Sequence, residues 1–124
     1  MNAARAYART QQETASKERL MVMLFDAALK NIRQGATALE AGRPLEAGPS
    51  LTKASDIVVE LMGTLDRARA PALCESLASV YQFVALRLTR AALSKDPKAA
   101  REAERAFAPI VEAFATAVSG VTTP

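Results

Sequence analysis

Apolar residues recur at helical spacing through four long stretches of this chain, and turns bearing proline or glycine separate each stretch from the next. The spacing predicts a first helix from about Ser16 to Glu40. Leu20, Leu24, Ala27, Asn31 and Ala38 fall near one stripe, and Met21, Phe25, Ala28, Ile32 and Leu39 on an adjoining one. Together they make an apolar face wider than a single neighbouring helix requires. Ser16 is read as the N-cap, its hydroxyl accepting a hydrogen bond from a first-turn N–H, and Glu18 puts negative charge where the helix dipole favours it. Gly42 is a natural C′ residue and Pro44 cannot continue the helix, so with Gly48-Pro49-Ser50 residues 41–50 are expected as a loop.

A second helix is expected over about 50–67, burying Leu51, Ala54, Val58, Leu61 and Leu65, with Ile57 and Met62 beside that stripe. After a short connection at 67–71, Pro71 suits the first turn of a third helix running to about 94. Leu73, Leu77, Val80, Tyr81, Val84 and Leu88 cluster on one side of it, with Phe83, Leu86 and Leu93 roughly opposite. Asp96 as N-cap and Pro97 at N1 open a last helix over about 97–119, which buries Ala103, Phe107, Ile110, Phe114 and Ala117. Pro109 removes a backbone bond to residue 105 at ~3 kcal/mol. The apolar period stays in phase on both sides of it, so one bent helix is expected. The reading is all-α, an antiparallel up-down four-helix bundle in one domain. Residues 1–15 form a short N-terminal helical or extended segment around Tyr7, residues 16–119 the bundle, and 120–124 a flexible tail.

Composition closes several routes to function. At 124 residues the chain supports one modest core. A net charge of +3, with acids and bases interspersed, predicts no nucleic-acid partner. With no histidine there is no Ser-His-Asp or Cys-His nucleophile system, and one thiol with carboxylates makes a poor zinc set. The five glycines are scattered, so no phosphate-cradling loop occurs. Cys74 has no internal disulfide partner and is read as a small packed hydrophobe. No catalytic residue, cofactor, metal or small-molecule substrate is expected. The N-terminus lacks a secretory apolar region and no run reaches the ~20 apolar residues of a membrane span, so a cytoplasmic protein is expected.

Tyr7 and five further pieces of the chain, in order, resemble the FliS family of flagellin-specific export chaperones. Tyr7 stands where that family has an N-terminal tyrosine, and Thr14-Ala15-Ser16-Lys17-Glu18-Arg19-Leu20 is similar to its T-A-S-P-E-K-L element. Met23-Leu24-Phe25-Asp26 resembles M-L-Y-D. The run from Leu51 to Met62 resembles x-x-K-A-Q-x-I-I-x-E-L-x, and Thr64-Leu65-Asp66 resembles S-L-D. Val80-Tyr81-Gln82-Phe83-Val84 with Arg87-Leu88 is similar to L-Y-D-Y-M followed by R-R-L. Lys17 in place of proline, Phe25 and Phe83 in place of tyrosine, Leu86 in place of the first arginine, the altered 67–71 turn and Pro109 mark a divergent member.

The resemblance implies a cytosolic chaperone, without enzymatic activity, that binds the disordered C-terminal segment of flagellin. It would prevent premature polymerisation and hand its client to a component of the flagellar type III export gate. The implied client contacts are Tyr7, Met62, Phe83 and Leu86, with Leu93, Phe107, Ile110 and Phe114 completing the set. The protein itself would be a monomer or weak homodimer. Two readings stand for Phe83, Leu86 and Leu93: a client groove, or core beneath a docked N-terminal segment. Tyr7 is either a plug for the client pocket or an exposed side chain. Met21, Met23 and Met62 are adaptable client surface or ordinary filler. Two rivals remain. A homodimeric helical scaffold would use the wide face of the first helix, and a chorismate-mutase-like enzyme would need Arg33, Lys53, Arg87 and Arg90 to converge inside the bundle.

Overall fold

Four helices span the described residues: α1 (Ala3–Glu40), α2 (Pro44–Gly63), α3 (Pro71–Ser94) and α4 (Pro97–Gly120). The structure is a computed structural model that describes residues 3–120, without the side chains of Tyr7, residues 10–16 and Gly120. Each helix packs against its neighbours in the chain, and α4 closes against α1. Arg33 meets Glu104 and Glu40 meets Arg101, so numbers rise along α1 as they fall along α4. Tyr81 with Phe107 and Arg87 with Glu102 show the same opposition between α3 and α4. This is an antiparallel up-down bundle, as the connection lengths predict. Its largest fully buried side chains include Phe107, Ile32, Leu51, Leu61 and Leu88.

Two helix starts differ from expectation. α1 passes through Ser16 without a break, so Ser16 is an interior helical residue and not an N-cap. Neither glycine nor proline occurs between positions 3 and 34, and the alanines, arginines and glutamines of the first fifteen residues are strong helix formers. A potential cap does not stop a helix where propensity favours continuation. α2 begins at Pro44, so Gly48-Pro49-Ser50 lies within it and the loop shrinks to three residues, 41–43. Tertiary packing overrides the local breakers here: Ala47, Leu51 and Ala54 are all buried in the core. α2 ends at Gly63, earlier than expected, where the Thr64 N–H and hydroxyl both donate to the Leu61 carbonyl.

Other local readings hold. Gly42 takes φ 74°, with its N–H donating to Leu39 O and the Arg43 N–H to Ala38 O, which is a Schellman ending. Asp96 Oδ1 accepts from the N–H of Lys98 at 3.0 Å and of Ala99 at 3.4 Å, capping α4. α4 continues through Pro109. The expected tail at 121–124 lies outside the described residues.

The predicted core also needs correction at one end. Ala117, expected to be buried, is exposed, as are Leu20 and Leu73 of the apolar stripes. They lie near the middle of α1, in the first turn of α3 and in the last turns of α4, which antiparallel packing brings to the same end of the bundle. Leu65, Ile110 and Phe114 are half-buried against the core instead of sealed in it.

Gly35 sets the α1–α2 spacing. A Cβ built there would lie 2.5 Å from Leu51 Cδ2 and 2.8 Å from Leu51 Cγ, and Leu51 is itself fully buried. Alanine would gain helix propensity of about 0.5–1 kcal/mol, but overpacking a sealed site costs about 1–3 kcal/mol. Gly35→Ala is therefore expected to lower stability by about 1 kcal/mol in urea unfolding, against the usual trend for glycine within helices. Equal or higher stability would show that Leu51 can repack freely.

Candidate functional site

The polypeptide-binding surface expected on α2, α3 and α4 resolves into three features. The first is an exposed apolar face on α3: Phe83 is 43% exposed, Leu86 59% and Leu93 79%. Burial of Tyr81, Val84 and Leu88 on the inward side leaves these residues facing outward. Of the two readings of this face, the described structure favours surface over core. The second feature is a slot of about 190 Å³ between α2 and α3, with Leu51 and Leu88 at its base and Leu93 on its rim. The third is a cup of about 260 Å³ where Ile110 and Phe114 of α4 meet Leu77 and Tyr81 of α3 and Phe25 of α1. The Phe25 and Phe114 rings lie 4.9 Å apart there.

The remaining expected contacts fall elsewhere. Phe107 is completely buried, with its ring 5.9 Å from Phe25 and 6.4 Å from Tyr81, so it supports the cup from beneath and offers no surface. Met62 is half-buried against the core. The Tyr7 side chain lies outside the described residues. Leu77 and Tyr81, on the clustered side of α3, pack with the core and also line the cup. Their stripe was legible, but not the gap left where α1, α3 and α4 diverge.

Arg87 links the α3 face to α4. Its guanidinium lies 5.5 Å from the Phe83 ring centroid and 3.8 Å from Glu102 Oε1, while its buried Nε has no hydrogen-bond partner. Burial pushes the Tyr81 phenol above its ordinary value, so it stays neutral. A cavity of about 320 Å³ near the α1–α2 turn has both of its arginines engaged: Arg33 with Glu104 at 2.7 Å and Arg43 with Glu46 at 3.6 Å. Among the described residues no polar or charged residue is buried, and no group of three or more acids or cysteines could hold a metal. Arg33, Arg87 and Arg90 each pair with a different acid at the rim, and Lys53 is exposed. The convergent charged interior that the enzyme rival needs is not formed. No described helix is long and apolar enough to cross a membrane.

An ion-pair ladder ties α1 to α4. Arg101 bonds Glu40 at 2.7 Å and Glu104 at 3.0 Å, and Arg33 bonds Glu104 at 2.7 Å. The hydrogen bond from Arg101 holds the Glu40 carboxyl below its ordinary value. Partial burial works against the charge on Glu104, but its bonds to Arg33 and Arg101 outweigh that and leave it lowered too. The folded chain therefore binds fewer protons than the unfolded chain near the ordinary carboxylate value of 4.5, so this stability is present above that pH and is lost as pH falls through the depressed folded values. Melting temperature should drop over that range. Arg101→Met should melt lower than wild type at neutral pH and converge with it in acid. Parallel pH profiles would show that the ladder contributes nothing.

The family model described as "Flagellar protein FliS" matches residues 1–121. The chain belongs to the FliS family. Its FliS relatives include the flagellar secretion chaperone FliS of Salmonella typhimurium, 31% identical over 115 residues that cover 89% of this chain and 85% of the relative. The flagellar secretion chaperone FliS of Bacillus subtilis is 32% identical over 99 residues, covering 80% and 73%. That of Escherichia coli is 30% identical over 102 residues, covering 82% and 75%. The divergence read from the motifs agrees with identities near 30%, and the match of the FliS model runs through both Pro49 and Pro109.

Proposed function

We propose that this protein is a cytoplasmic flagellar export chaperone. It binds the C-terminal segment of flagellin on the α2–α3–α4 surface, keeps it from polymerising, and presents it to the export gate. The observation that carries the reading is the exposed Phe83–Leu86–Leu93 face of α3, together with the α2–α3 slot that Leu93 rims and the apolar cup at α4, in a chain of the FliS family. An amphipathic segment laid along this face buries its own apolar stripe and so cannot use it for assembly. The client orders as it binds, which lowers affinity per unit area and aids later release. The mechanism needs no bond making or breaking.

Calorimetric titration with a C-terminal flagellin fragment from the same organism tests it. Saturable 1:1 binding with a negative heat-capacity change is the expected result. Absence of binding at concentrations that would saturate a Kd of about 1 μM overturns the reading.

A further inference from the structure

We propose that the slot between α2 and α3 selects a basic residue of the bound polypeptide, with the aliphatic stem lying on α3 and the cationic head meeting Asp56 on α2. This rests on the chaperone reading of the same surface and adds a chemical specificity to it. An apolar cavity of about 150 Å³ holds a benzene molecule; the slot, at about 190 Å³, has room for one long side chain.

Its two walls differ in chemistry. From α3 come Leu88, Ala92 and Leu93, together with Thr89, whose hydroxyl is spent on the Ala85 carbonyl. From α2 come Thr52, Ser55 and Asp56, which share one helix face through their i, i+3, i+4 spacing. Among the described residues none of these three side chains makes a hydrogen bond, and Asp56 has no Lys or Arg nitrogen within 4.0 Å. The acids along the α4 seams are matched by contrast: Glu40 and Glu104 by Arg101, and Glu102 by Arg87. Asp56 is thus an uncommitted negative charge beside two uncommitted hydroxyl acceptors, facing an apolar wall.

Lysine and arginine fit that arrangement. Their methylene stems cover apolar surface while the head stays at a polar rim, and hydrogen bonds between ionised partners are roughly twice as strong as neutral ones. An acidic client residue at this position would be repelled, and an apolar one would leave the carboxylate without a partner. The slot therefore fixes the register of the client along the α3 face as well as its chemistry.

The test is Asp56→Asn in the full chain, titrated with the same C-terminal flagellin fragment at several salt concentrations. Affinity should fall roughly 3- to 10-fold and its salt dependence should flatten. Glu60→Gln, on the same helix outside the slot, should change neither. Replacing each basic residue of the fragment by methionine in turn should find one position that reproduces the loss and adds nothing further against Asp56→Asn. Thermal melts matching wild type show that the variant folds. Unchanged affinity and salt slope in Asp56→Asn, with wild type binding normally, overturn the inference and leave the chaperone reading standing. No binding by wild type removes both. If Asp56→Asn alters only the sedimentation of the protein alone, the slot belongs to a second copy of this chain and the inference fails.

Discussion

Replacing Phe107 by alanine is expected to remove about 3–5 kcal/mol of folding free energy. The side chain is fully buried, and its ring lies within aromatic contact range of both Phe25 and Tyr81, so truncation leaves a cavity that α1, α3 and α4 line together. Small domains are typically stable by only about 5–15 kcal/mol, so the variant should unfold at much lower urea with an unchanged slope. Phe107→Leu should recover much of the loss. The result also decides a role. A residue that contacts the client would lose binding and keep stability, whereas a core residue loses stability first. A variant as stable as wild type would return Phe107 to the client surface.

The opposite pattern is expected at Leu86 and Leu93. Both are more than half exposed, so Leu86→Ser with Leu93→Ser should leave urea stability within about 0.5 kcal/mol of wild type. Docking of a client would bury both side chains. Losing them should cost about 2–3 kcal/mol of binding, a roughly 30- to 150-fold weaker Kd for the flagellin fragment. Affinity unchanged by the double substitution would move the client off α3. Together with Phe107→Ala, this pair separates what the aromatic and aliphatic residues of α3 and α4 do for folding from what they do for recognition.

The starts of α3 and α4 were legible because their signals are local. Pro71 and the Asp96–Pro97 pair act through their own backbone geometry and a hydrogen bond two residues away. The Gly42 ending was legible for the same reason, since a left-handed φ suits glycine in any context. Ser16 and Gly48-Pro49-Ser50 carry signals of the same kind and were misread. At Ser16 the flanking helix formers outweigh a cap; at Pro49 burial of Ala47 and Leu51 outweighs a lost backbone bond. A local signal is decisive only where nothing larger opposes it.

By itself the sequence determined the helical class, the four-element order, the antiparallel topology that short turns impose, and the family, because periodicity, turn chemistry and ordered motifs are all properties of neighbours along the chain. It did not determine which apolar residues face solvent. Phe83 and Phe107 are both aromatic residues at helical spacing, and only the packing of four helices leaves one facing solvent while sealing the other. The exposure of Leu20, Leu73 and Ala117, the cup at Ile110 and Phe114, and the two-sided slot at Asp56 arise the same way. Each depends on where helices distant in sequence approach or diverge, and that distance is set by side-chain volumes such as the missing Cβ of Gly35.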